Sequence, residues 1–158
     1  MLVVALFAAA IACAGATAAA AAIYSVNVHA RLAPVAGTTA AGQFGGTLTV
    51  VFSGPNRFEP SDNFPQSGYS TLRWQLSLPA LHGPISALLR LHATKSAAPV
   101  ARMLCGRCLM AANGTLKLTV DQGLRIATSG SGAVIVVRTP SATLRGPVKV
   151  SPQVPVAQ

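Results

Sequence analysis

The sequence of 158 residues predicts an all-β domain, a sandwich or barrel of seven or eight antiparallel strands. Two observations predict it. Apolar and polar residues alternate with period two, and the alternation recurs along the chain, as it does in strands with one face on a core and one in water. Gly and Pro then punctuate the pattern at Gly54-Pro55, Gly83-Pro84, Thr139-Pro140 and Gly146-Pro147. No long window carries a helical period.

The elements follow in order. Tyr24 to Leu32 alternates cleanly, with Ser25, Asn27, His29 and Arg31 on the polar face. A strand is expected at 46–53. Residues 54 to 68, GPNRFEPSDNFPQSG, read as a polar, Pro-rich loop that holds Glu59 and Asp62. Thr71 to Leu78 is a strand with Leu72, Trp74, Leu76 and Leu78 turned inward, which makes Trp74 a core residue. A strand is expected at 85–92, and one from Gly114 to Asp121 with Leu116, Leu118 and Val120 inward. Residues 124–128 read as a further short strand, and 128–132 as a Thr/Ser/Gly turn. The stretch 133–139 is apolar on both faces and so is expected to be a central strand. Thr143 to Val150 closes the domain with Leu144, Val148 and Val150 inward. Residues 23–150 form the domain, enough for one two-layer core. The tail at 151–158, SPQVPVAQ, is Pro-rich and expected to be disordered.

Residues 2 to 22, LVVALFAAAIACAGATAAAAA, carry no charge. An apolar core running into small residues is the pattern of a secretory signal peptide, here 1–22. A-x-A triplets at Ala16-Thr17-Ala18 and within Ala18 to Ala22 place cleavage between 18 and 23. No Lys or Arg precedes the run, and its length also suits an uncleaved membrane anchor. A lipoprotein reading would use Cys13. Secretion to the extracellular side is the first expectation, anchoring the alternative. Loss of Cys13 with the leader leaves Cys105 and Cys108, an even number for an oxidising compartment.

Composition excludes several function classes. Lys and Arg number 12 against 3 acidic residues, a formal charge of +9, while charged residues are only 9% of the chain. Three acids, Glu59, Asp62 and Asp121, leave little material for paired-carboxylate catalysis, a calcium loop or a magnesium cage. No G-x-S-x-G, P-loop or H-E-x-x-H is present, so hydrolase chemistry is not expected.

Three stretches together resemble the CHRD domain, the module named after chordin and also found in secreted microbial proteins. RLAPVAGTTAAGQFGGTLTV (31–50) is similar to the family's opening strand, Pro-Val turn and approach to the second strand. LRWQLSLPALHGPISALLRLHATKSAAPV (72–100) is similar to its L-x-G-x-I-x-x-A-H-I-H strand and the Pro-Val after it. AVIVVRTPSATLRGPV (133–148) is similar to its closing Y-V-N-V-H-T … E-I-R-G pair. The resemblance covers residues 24 to 150. It implies a secreted Greek-key β-sandwich of immunoglobulin-like or superoxide-dismutase-like type, with no catalytic activity. The departures are specific: Arg90 and Arg138 stand where the family pattern has His, and Thr143 where it has Glu. A guanidinium cannot ligate a metal and repels one.

Cys105-Gly-Arg-Cys108 reads as a small structural disulfide pinning a loop between two strands. A redox Cys-x-x-Cys would need a low thiolate pKa at a helix start, and no helix follows. A zinc site would need further ligands from His29, His82 and His92, the same residues that a superoxide-dismutase-like copper or zinc enzyme would use. Otherwise these histidines are solvated, no cofactor is called for, and the protein is not an enzyme. Alternation turns Arg31, Arg73, Arg90, Lys117, Arg125, Arg145 and Lys149 outward, and Arg73, Arg90, Lys117, Arg125, Arg138 and Arg145 are the candidates for polyanion binding. The expected partner is an extracellular protein or an anionic polysaccharide at the matrix or cell surface. Nucleic acid is not expected, because exposed aromatic stacking platforms are lacking. Membrane contact is expected only if the N-terminal segment is retained. Asn113-Gly114-Thr115 is a glycosylation sequon that also reads as a turn.

Overall fold

The computed structural model describes residues 21–36, 39–53, 67–79, 81, 83–95, 97–128 and 132–151. Several readings made above lie outside the described residues: the leader up to residue 20 with Cys13, the loop at 54–66, His82, and the tail beyond 151. Within the described residues the chain is all-β, apart from one short helix.

Strands β1 (Ala21–Pro34), β2 (Gly42–Ser53) and β3 (Ser67–Ser77) form a long antiparallel meander. Its register runs from Ala21 opposite Ser53 to Leu32 opposite Gly42, and from Gln43 opposite Ser77 to Ser53 opposite Ser67. There follow β4 (Ile85–Leu91), β5 (Val100–Cys108), β6 (Ala111–Leu118), helix α1 (Val120–Thr128), β7 (Ala133–Arg138), β8 (Thr143–Pro147) and the two-residue β9 (Lys149–Val150). The ladder order is β5-β4-β7-β8-β1-β2-β3-β6, with β9 added against β1.

Strands β5 and β6 stand at the two ends of that order, yet only Leu109 and Met110 separate them in sequence. So short a link spans about 10 Å at full stretch. The sheet must therefore curl until its ends meet, and it is nearly closed into a barrel. Across the seam Arg102 Nη2 on β5 donates to the Lys117 carbonyl on β6 at 3.0 Å. The Leu78 amide donates to the Met110 carbonyl at 2.7 Å, which extends the β3–β6 pairing up to the β5–β6 link.

The alternation read from the sequence holds. Val26, Val28, Ala30 and Leu32 on β1, Phe44, Leu48 and Val50 on β2, and Leu72, Trp74 and Leu76 on β3 are all buried in one core. Trp74 is 5% exposed. Its fit depends on its neighbours across both ladders, which are Gly46 and Gly114. A Cβ on Gly114 would lie 2.9 Å from Trp74 Cζ2, and one on Gly46 would run into the β3 backbone. The indole thus lies in a row whose adjacent positions have no side chains, a large-beside-small arrangement that packs without voids.

Strand β7 is central, between β4 and β8, and Ala133 to Val137 are buried without a break, as expected. Ala133, Ile135 and Val137 join the core. Val134 and Val136 belong to the outer face. Their ladder partners there include Arg90, Leu88 and Arg145, and long side-chain stems of this kind cover apolar surface.

Four expectations are corrected. Residues 124–128 are not a strand but the second half of α1, and the strand expected to run to Asp121 stops at Leu118. The cause is a capping box: the Gln122 amide donates to Thr119 Oγ1 at 3.2 Å, and the Thr119 amide donates to Gln122 Oε1 at 3.3 Å. Once started, the helix buries Val120, Gly123, Ile126 and Ala127. Gly123 lets it approach Ser70 and Val50 so closely that a Cβ there would meet Ser70 Oγ. The strand expected at 143–150 is interrupted at Val148, whose amide turns to the Ala133 carbonyl at 2.9 Å. The chain then transfers from β7 to β1 as β9. The cysteines, finally, lie in strand β5 and not in a loop.

Candidate functional site

The outer face of β4, β7 and β8 gathers three of the predicted cations. Ladder register sets three rows across it: Ser86, Arg138, Thr143; then Leu88, Val136, Arg145; then Arg90, Val134, Pro147. Arg138 and Arg145 are diagonal neighbours, about 7–8 Å apart at Cα. Arg90 lies two strands and one step from Arg145, roughly 12 Å by strand spacing and rise. All three side chains are exposed. The rows continue onto β1, where Ala33 stands opposite Arg145. Arg31, two residues earlier in β1, adds a fourth exposed cation at the edge.

No acidic side chain among the described residues faces these arginines. Among the described residues the one acidic side chain is Asp121, on α1, and it lies 3.8 Å from Arg125 Nη1. Mutual repulsion between arginines 8 Å apart in water is only about 0.5 kcal/mol before salt screening. The fold tolerates that easily. Arg90 and Arg145 are ladder partners of Val134 and Val136, and all three guanidinium groups stand exposed on one sheet face, a geometry that suits bidentate contact with carboxylate or sulfate-type oxygens.

The other predicted cations are not part of this cluster. Arg73 and Lys117 lie on the outer face of β3 and β6, opposite Thr115 and Thr71. Arg125, expected on an outward strand face, is instead a strut between α1 and the segment after β4. Its side chain is 11% exposed and donates to the carbonyls of His92 and Ala98. Asn113, with its sequon, is exposed within strand β6 opposite Gln75 and not in a turn.

Cys105 and Cys108 are bonded to each other, with Cα atoms 5.6 Å apart. Residues three apart in a regular strand are about 10 Å apart. The shortening comes from irregular register: Ile85, Ala87 and Leu88 on β4 face Cys108, Cys105 and Met103 on β5, so β5 carries extra residues at both steps. The disulfide clamps this bulged end of β5 beside the β5–β6 link, with Cys108 buried. It is not at a helix start, which favours the structural role over the redox one. Reduction should lower stability by about 2 kcal/mol, the chain-entropy value for so short a loop. Denaturant midpoints with and without reductant measure it, and far-UV circular dichroism should show the strands retained.

His29 projects from the outer face of β1, beside Lys149 in the β9 ladder. His92 is exposed just beyond β4. In the ladder order β7 and β8 stand between β4 and β1. Among the described residues no three of His, Cys, Asp and Glu come together as a metal site would require. No described helix is long and apolar enough to cross a membrane.

No protein-family model, curated protein or solved structure matches the chain. The gathering of Arg90, Arg138 and Arg145 was only half visible in the sequence. Alternation placed Arg90 and Arg145 outward, whereas Arg138 ends a stretch read as apolar on both faces. Their adjacency depends on β7 inserting between β4 and β8, a pairing that no local pattern encodes.

Proposed function

We propose that the chain is a secreted, non-enzymatic binding module of CHRD-like type that holds anionic polysaccharide at the extracellular matrix or cell surface. One observation carries the reading: Arg90, Arg138 and Arg145 converge on a rigid sheet face with no acidic partner among the described residues. The uncharged N-terminal stretch supports export, and the three resembling segments support the family. Two of these three arginines stand where the family pattern has His, so a position suited to a metal ligand carries a fixed cation here. The strand order supports a Greek-key reading of superoxide-dismutase or immunoglobulin type. After β4, β5 and β6, the chain returns through α1 to lay β7 beside β4, and β6 lies beside β3.

Chromatography on immobilised polysaccharide tests the function. The protein should be retained at low salt on a sulfated or carboxylated matrix, pass through a neutral matrix of the same backbone, and elute as salt shortens the screening length. Equal behaviour on charged and neutral matrices would falsify the reading.

A further inference from the structure

The outer face of β1, β2, β3 and β6 presents a different arrangement. Ladder register lines up His29, Gly45, Gln75 and Asn113 in one row, and Asn27, Thr47, Arg73 and Thr115 in the next. Gly45 has no side chain between His29 and Gln75, and the Gln75 side chain leans over it, with Nε2 3.4 Å from where a Cβ would stand. An open depression of about 560 Å3 lies there, lined by Asn27, His29, Thr47, Arg73, Gln75 and Asn113. The one hydrogen bond between these side chains runs from the Thr47 hydroxyl to Asn27 Oδ1, at 3.3 Å. The amides of Gln75 and Asn113 and the Arg73 guanidinium face solvent with their hydrogen-bonding capacity available.

We propose that this trough binds a single carboxylated sugar residue, a hexuronate, of the same polysaccharide; the inference rests on the polysaccharide-binding reading above. The chemistry selects that class. One guanidinium accommodates one carboxylate bidentately. The amides supply paired donors and acceptors, which suit sugar hydroxyls better than they suit a bare anion with acceptors only. Among the described residues no carboxylate lies in the trough, which disfavours a cation. The face beside β7 then supplies charge and residence on the polymer, and the trough supplies recognition of the sugar.

The depression is open to water, and each hydrogen bond replaces one to solvent. Affinity for a short ligand is therefore about millimolar. The test is a titration of isotope-labelled, unglycosylated protein, followed by amide chemical shifts. Three probes are used: a uronic-acid trisaccharide, its neutral counterpart, and inorganic sulfate. The acidic trisaccharide should move the amides of Gly45, Thr47, Gln75 and Asn113, and the other two probes should not. Arg73→Gln should weaken binding about 10-fold, the loss of one charge-assisted bidentate contact. Gly45→Gln should push the Gln75 side chain off Gly45 and into the trough, and abolish the shifts with the fold intact. A Cβ at Gly45 makes only ordinary contact, 3.4 Å from Gln75 Nε2, and its φ is not positive. Retention of Gly45→Gln on the charged matrix should be unchanged, because the arginine face is untouched. Equal shifts with sulfate would reduce the trough to a general anion site, and acidic-sugar shifts confined to residues around Arg90, Arg138 and Arg145 would remove it; either result overturns the proposal. Matrix retention in the unmutated protein is read separately, so the failure of one reading is distinguishable from the failure of the other.

Discussion

Trp74→Ala should lower the free energy of unfolding by about 3–5 kcal/mol, the range for truncating a large buried aromatic. The upper part of that range is expected here. The cost of a cavity depends on how far its walls collapse, and the nearest walls on β2 and β6 are Gly46 and Gly114. Neither has a side chain that could move into the space. A domain of this size has about 5–15 kcal/mol in total, so the variant should stand close to the point of unfolding at ambient temperature. Urea titration followed by circular dichroism measures the change, since Trp74 is the sole tryptophan and its fluorescence is lost with it. The converse substitution tests the same packing from the other side. Gly114→Leu should also be strongly destabilising, because its Cβ alone meets the indole. Gly45→Gln, on the outer face of the neighbouring row, should be nearly neutral. A cost under about 1 kcal/mol for Trp74→Ala would mean that the indole does not fill the space between the two glycines.

The long strands were legible because each keeps a strict period over many residues. From Tyr24 to Leu32 and from Thr71 to Leu78 every second side chain enters the core, and no bulge disturbs the count. Strand β7 was legible as a central strand for the opposite reason, an unbroken apolar run. Strand β5 was not, because its bulges between Met103 and Cys105 and between Cys105 and Cys108 break the alternation. Nor was α1. With nine residues it is too short to show a helical period against its surroundings, and Gly123 in its middle lowers its helix propensity. The local signal was nevertheless present. Thr119-Val-Asp-Gln122 is a capping-box sequence, with Asp121 favourably placed in the first helical turn. Arg125 was misassigned for the same reason: its parity as a strand residue pointed outward, whereas the helix turns it back onto the carbonyls of His92 and Ala98. The arginine cluster required sheet order, and the trough required register across four strands. Both are tertiary quantities, fixed by how the barrel closes and not by any one segment.

Replacing Arg90, Arg138 and Arg145 together with glutamine should weaken retention on an anionic matrix by about 10–100-fold and move elution to lower salt. The magnitude follows from exposed charge contacts worth about 0.2–1 kcal/mol each, with three lost at once. Glutamine keeps part of each aliphatic stem, so Val134 and Val136 remain partly covered and the stability cost is small. Loss of net charge alone would also weaken retention. The decisive comparison is therefore with Lys95→Gln, Lys117→Gln and Lys149→Gln combined in one protein. These three lysines are exposed and lie on the segment after β4, on β6 and on β9. The two variants carry the same net charge, each having lost three of the 12 basic side chains. If the whole surface acted as a diffuse cation, both would elute together. If the face beside β7 is the binding surface, the arginine variant should elute well before the lysine variant. The slope of log affinity against log salt should also fall more for the arginine variant, because fewer counterions are released from the polymer when close contacts are lost. A guanidinium pair separated by one diagonal step can engage neighbouring acidic groups of one chain at the same time. An equal number of scattered ammonium groups cannot, so arrangement and not total charge decides the difference.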